Sequence, residues 1–191
     1  MEIGPTSMTM DIVARSCGIS KRTLYEHFPD KRTLIMESLN DDRDRFIKEV
    51  VRIFAESDTC YEALFSMFSL MLKRLNKRSQ AFIDDIKRLY PEVLEHNDEH
   101  DKATIAHLSD VLTKAQGEGY VLPAIDTHIA AFLLINQMRA LHNNPKVSYL
   151  DLDIVKVHDA AFLNFMRGVS TIKGIDYIEE ALIKRNKQKT Q

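Results

Sequence analysis

Cysteine is scarce: the chain has two among 191 residues, Cys17 and Cys60. That excludes a disulfide framework, and their separation matches no zinc-binding spacing. Both lie in apolar patterns and are expected to be buried thiols in a reducing cytosol. Long apolar runs are missing too. The longest, Ile129 to Ile135, falls well short of the ~20 residues needed to span a bilayer. No secretory signal opens the sequence, so a cytoplasmic protein without a membrane partner is expected. Glycine (6) and proline (5) are few and fall between helical patterns, and strand signals are sparse. Neither sign of charge dominates, with 26 Lys and Arg against 28 Asp and Glu. Any contact with nucleic acid must therefore come from a local patch. A glycine-rich phosphate loop, a nucleophile elbow and catalytic-triad spacing are all absent, as are internal repeats. These absences leave an all-α chain, long enough for one good core and a small satellite domain.

What is present is concentrated between Thr9 and Lys31. Thr9 is suited to cap a helix start. Met10, Val13, Ala14 and Cys17 follow at i, i+3, i+4, i+7, the spacing of one helix face. Gly18 can take the left-handed conformation that ends a helix. Ser20 caps a second helix, and Ile19 can staple onto Leu24. Leu24 and Phe28 point inward, and Pro29 ends the helix. The outward positions are then Arg22, Thr23 and Glu26, flanked by Lys21 and Tyr25. Two short helices around a tight turn, with donors on the second, suit a helix-turn-helix that reads a major groove. An ordinary helical hairpin with a solvated face fits the spacing as well.

Gly18 to Ile35, GISKRTLYEHFPDKRTLI, resembles the recognition-helix signature of TetR-type transcriptional regulators. The matching positions are Gly18, Ile19, Ser20-Lys21, Thr23-Leu24-Tyr25, His27-Phe28, Lys31 and Leu34. The resemblance covers about the first quarter of the chain. It implies an N-terminal helix-turn-helix, residues 1–40, followed by a helical effector and dimerisation domain, residues 41–191. It also implies a homodimer on an operator in double-stranded DNA and no cofactor. By resemblance and helical phase, Lys21, Arg22, Thr23, Tyr25, Glu26 and His27 form the groove-facing set. Thr9, Ser20 and Lys31 would contact phosphates. Arg22 stands where family members often carry a small residue, so a guanine reader is expected there. The family opens with a longer first helix. Here Met1-Glu2-Ile3-Gly4-Pro5 resembles only the last turn of that helix and the loop after it. The chain is thus expected either to start at an internal methionine or to lack the helix.

Downstream, Asp30-Lys31 opens a long helix to about Glu56, whose apolar stripe is interrupted by the charged, solvated stretch Asn40 to Arg45. Thr59 to Leu75 is apolar nearly all round, as in a buried bundle helix. Ala81 to Tyr90 is shorter and ends at Pro91. Phe65, Phe68, Met71, Phe82 and Tyr90 are candidate walls of a cavity, with Ser66 as a polar anchor beside Ser69. The sparse charge on these faces predicts a small hydrophobic effector. A filled core explains the same pattern. Further helices are expected at Thr104–Gln116, Thr127–Leu141, Asp153–Val169 and Ile175–Lys184. Gly168 and Gly174 bracket a turn, and His158 reads as a core histidine. Thr127–Leu141 and Asp153–Val169 are the best candidates for a dimer interface.

The function these features imply is a DNA-binding repressor released by a hydrophobic effector, not an enzyme and without a metal. Two alternatives stay open. His96, Glu99 and His100 match the H-x-x-E-H pattern of inverted zinc peptidases, which would make a small helical hydrolase. The chain could also be a helical partner-binding protein that no longer binds DNA.

Overall fold

The computed structural model describes residues 6–77, 80–91, 98–142 and 152–189. Among these the chain is helical, with one isolated antiparallel bridge between Val121 and Ser170. The helices are α1 (Met10–Ser16), α2 (Lys21–His27), α3 (Lys31–Glu56), α4 (Cys60–Lys77), α5 (Gln80–Leu89), α6 (Asp98–Gly117), α7 (Thr127–His142), α8 (Ile154–Val169) and α9 (Ile172–Lys189). They fall into two compact units. The first comprises residues 1–52 and 76–96, the second residues 53–75 and 97–191.

The first unit has two apolar clusters. Met10, Ala14, Leu24 and Leu34 are buried together, with Val13 and Phe28 packed on them, and this cluster joins α1, α2 and the start of α3. Ile35, Ile86 and Tyr90 form the other, with Met8, Met36, Leu39 and Phe82 against it. Thus α5 packs on the first two turns of α3. The charged stretch Asn40 to Arg45 is largely exposed, and α3 runs unbroken through it as expected. An Arg45–Asp41 ion pair one turn apart bridges that stretch, the kind of pair that supports a solvated helix.

In the second unit α6 packs on α7, α7 on α8 and α8 on α9. Its core holds Tyr61, Leu64, Phe68, Leu112, Phe162, Met166 and Ile178. Phe68 stacks on Phe162 at 3.7 Å between ring centroids. Tyr61, fully buried, stacks on Tyr120 at 4.8 Å. Its hydroxyl donates to Ser170 Oγ at 2.6 Å, and Ser170 donates in turn to the Met166 carbonyl at 2.6 Å. Burial pushes the Tyr61 phenol up to about 12, since its charged form would lose water. Gly119, at φ 81°, turns the chain out of α6. The Gln116 amide then holds the following loop by donating to the Leu122 and Ile125 carbonyls.

Three expectations need correction. Cys17 is exposed, because α1 ends at Ser16 and Cys17 is its C-cap; Cys60 is half-buried. Gly174 is not in a turn but in the first turn of α9, which begins at Ile172, three residues earlier than expected. A Cβ at Gly174 would lie 2.4 Å from the Tyr120 carbonyl oxygen, so glycine serves close approach there. Last, α6 begins at Asp98 and not near Thr104, so Glu99 and His100 are helical.

Candidate nucleic-acid interface

The capping residues fix the geometry of α1 and α2. Thr9 Oγ1 accepts from the Ile12 amide at 3.2 Å, and Ser20 Oγ from the Thr23 amide at 3.0 Å. Each satisfies an amide that a helix start leaves without a partner. Gly18, at φ 68°, makes the turn between them. There its amide donates to Arg15 O and that of Ile19 to Ala14 O. Leu24, 3% exposed, anchors α2 on α1, while Ile19 is 39% exposed. Across the helix pair the Lys21 ammonium meets the Asp11 carboxylate at 3.0 Å. That contact holds the Lys21 amine above its ordinary value.

The outward side chains of α2 are placed as follows. Arg22 is 90% exposed and bonds Glu26 Oε1 through Nε at 3.1 Å. Tyr25 is exposed, with the Lys21 ammonium 5.9 Å from its ring centre. His27 is exposed, its ring 6.4 Å from that of Phe28. Thr23 is half-buried, and its hydroxyl lies 2.9 Å from Ser20 Oγ. The structure thus brings Lys21, Arg22, Tyr25, Glu26 and His27 to exposed positions on one short helix, with Thr23 turned toward the cap. Thr9 and Ser20 are exposed at the two helix starts and Lys31 is half-buried at the start of α3. Asp30 closes that third start by accepting from the Thr33 amide at 2.7 Å, which lowers its carboxyl below the usual range.

Sequence reasoning missed a contact made from α5. The Asp85 carboxylate accepts from the Thr6 amide at 2.7 Å and from Arg88 at 2.9 Å, and Arg88 also donates to Thr6 Oγ1 at 2.9 Å. Thr6 lies 79 positions from Asp85 and 82 from Arg88, and no local pattern announces such a contact. Nearby, the Arg32 guanidinium sits 5.6 Å over the Tyr90 ring.

The six residues expected to line an effector cavity belong to different clusters. Phe65, Phe68 and Met71 belong to the core of the second unit, and Ser66 is half-buried on the same helix. Phe82 and Tyr90 belong to the first unit, with Ile35 and Ile86. Of the proposed zinc ligands, His96 lies outside the described residues. Among the described residues no group of three or more His, Cys, Asp or Glu could hold a metal ion, and no helix is long and apolar enough to cross a membrane.

Residues 1–37 match the sequence model for bacterial regulatory proteins of the tetR family. Over these residues the chain is similar to TetR-type regulators. Its fold agrees. A transcriptional regulator from Cytophaga hutchinsonii aligns with a TM-score of 0.64 at 18% identity, covering 88% of this chain and 91% of that one. SmeT, the repressor of the Stenotrophomonas maltophilia multidrug efflux pump SmeDEF, aligns at 0.61 and 15%, covering 88% and 83%. The regulator FadR from Bacillus subtilis, in complex with stearoyl-CoA, aligns at 0.58 and 16%, covering 87% and 91%. No curated protein sequence matches the chain. At these identities the likeness is one of fold, and the likeness in sequence to TetR-type regulators lies in the N-terminal residues.

Proposed function

We propose that this TetR-type regulator is a repressor that binds a two-fold operator in double-stranded DNA as a homodimer and is released by a small hydrophobic effector. Residues 1–40 act as the DNA-binding domain and residues 41–191 as the ligand-binding and dimerisation domain. The observation that carries the reading is α2 itself. It is capped by Ser20, anchored through Leu24, and presents Arg22, Tyr25, Glu26 and His27 outward. A helix held in this way can enter a major groove with its side chains on base edges. Thr9, Ser20 and Lys31 contact phosphates and fix the register. Arg22 donates its fork to a guanine. The TetR-type match supports this reading over a zinc hydrolase or a scaffold that has lost DNA.

The effector binds along α4, where Phe65, Ser66 and Met71 offer half-buried apolar surface with one hydroxyl. The stearoyl-CoA complex of the Bacillus subtilis protein supports a hydrophobic ligand. The ligand shifts the population of states only by binding one placement of α3 better than another. Moving that helix would alter the spacing of the two recognition helices, which must match one turn of DNA, ~34 Å.

Selection from a random duplex library tests the proposal. The expected product is a two-fold symmetric motif whose binding weakens when stearoyl-CoA or a free long-chain fatty acid is added. Arg22→Ala should cost about 1–3 kcal/mol at one base position, and Lys31→Ala should weaken all sequences alike and reduce the salt slope by about 1. Enrichment of no motif would overturn DNA reading; a motif insensitive to any hydrophobic compound would overturn the effector.

A further inference from the structure

The outward side chains of α2 are not equally free to meet a base. Lys21 is committed to Asp11 of α1 at 3.0 Å, so extending it into a groove would break the pair that ties the two helices together. The Thr23 hydroxyl is engaged with Ser20. Arg22 differs. Its guanidinium is almost wholly in solvent, and Glu26, one turn further along, is the ion-pair partner found among the described residues. The bond between them runs from Nε to Oε1 at 3.1 Å. It therefore occupies the inner nitrogen of the guanidinium and leaves the two terminal nitrogens for another acceptor. It also leaves Glu26 Oε2 available.

We propose that Arg22 and Glu26 read DNA as one unit. The terminal N–H groups of Arg22 donate to O6 and N7 of a guanine, and Oε2 of Glu26 accepts from the N4 amino group of a cytosine beside it. The inference rests on the DNA-binding reading above and names the sequence that reading would select. The chemistry follows from the major-groove edges. Guanine is the base that presents two acceptors to a fork of donors, and cytosine presents an amino donor to a carboxylate. An exposed pair one helical turn apart adds little to folding. Its effect here is to restrict a long side chain that otherwise samples many rotamers, so less freedom is lost on contact. The carboxylate also works against wrong sequences, because the acceptor edges of guanine or thymine opposite Oε2 would repel it. Glu26 is thus both a reader and the positioning residue of Arg22.

The test is selection from a randomised duplex library with the full chain and with R22A, E26A, E26Q and the double variant R22A/E26A. Both positions are on the surface, and matching thermal melts would show the fold intact. The wild-type chain should enrich half-sites holding a guanine with a cytosine next to it. R22A should lose the guanine preference by about tenfold or more at that one position. E26A should lose the cytosine preference and also blur the guanine, while binding random DNA more tightly because a negative charge has left the surface. E26Q should exchange cytosine for adenine, since an amide can pair with both N6 and N7. The double variant should match R22A at the guanine, the mark of residues acting together. An E26A motif identical to that of the wild type would overturn the inference and leave the regulator standing, as would a guanine preference that survives R22A. Enrichment of no motif by the wild-type chain would instead overturn the DNA-binding reading itself.

Discussion

The smallest features with large consequences lie in the second unit, where α8 meets α9. Gly174 has the Tyr120 carbonyl where a side chain would begin, 2.4 Å from an added Cβ, with Ser170 Cβ at 2.8 Å. The obstructing atom is backbone, and that carbonyl already accepts from the Thr171 amide at 2.9 Å. Gly174→Ala is expected to destabilise the chain by about 1–3 kcal/mol, the usual cost of overpacking, read as a lower urea midpoint at unchanged slope. An unchanged midpoint would mean that α9 can move aside freely. Beside it, the Tyr61–Ser170–Met166 chain satisfies a fully buried hydroxyl. Ser170→Ala removes the 2.6 Å acceptor and leaves Tyr61 only the Gly174 carbonyl at 3.3 Å. A loss of about 1–3 kcal/mol is expected, since a buried donor is left poorly satisfied. Tyr61→Phe in the same background should then cost little more, because the group that lacked a partner is gone. Full additivity of the two substitutions would contradict the hydrogen-bond chain.

At the scale of elements, α5 stands out because it is remote in sequence from the helix-turn-helix yet is fastened to it. Asp85 and Arg88 hold Thr6, three residues before the Thr9 cap, and Ile86 and Tyr90 pack on Ile35. The bonds from Thr6 and Arg88 pull the Asp85 carboxyl down to about 2, from an ordinary 3.8. A carboxyl lowered on folding contributes stability that is complete above 3.8 and is lost as pH falls through about 2. Asp85→Asn should therefore lower stability near neutral pH and flatten its decline between those two values, measured by acid unfolding followed by circular dichroism. A decline as steep as in the wild type would show that Asp85 carries no such linkage. This contact also marks the limit of what the sequence displayed. The starts of α1 and α2 were legible because Thr9 and Ser20 act within three residues, and Gly18 and Pro29 punctuate the chain locally. The helical phase also placed Leu24 inward and Arg22 outward. Partners chosen across the fold were not legible: Lys21 with Asp11, Asp85 with Thr6, or Phe82 and Tyr90 with α3. Likewise Gly174 reads as a turn residue until the Tyr120 carbonyl is seen to occupy the space of its side chain.

For the whole molecule, the two-fold operator proposed above carries a requirement on assembly. A helix-turn-helix that reads both halves of a two-fold operator needs a two-fold partner, and a two-fold interface uses the same surface twice. Within one chain α7 buries Ala130, Ala131 and Leu134 but leaves Ile129, Phe132 and Leu133 at 56%, 50% and 52% exposure. These three stand at i, i+3 and i+4, so they form one stripe. It lies on the element that, as Thr127–Leu141, the sequence offered as an interface candidate. Fully burying such a side chain is worth ~1.5–3 kcal/mol, so a stripe present on both copies can supply a substantial part of an association energy. Phe132→Asp places a charge in the middle of that stripe. Its backbone is in a helix and its side chain is half in water, so the fold of the single chain should survive, as a circular dichroism spectrum would show. Sedimentation of the wild-type chain at micromolar concentration should give a dimer, and of the variant a monomer. On a duplex with two half-sites the variant should bind only about as tightly as the wild type binds one half-site, because the gain from joining the two contacts is lost. A variant that stays dimeric would remove α7 from the interface. A wild-type chain that sediments only as a monomer would count against two-fold recognition, and with it against repression by occupancy of a symmetric operator.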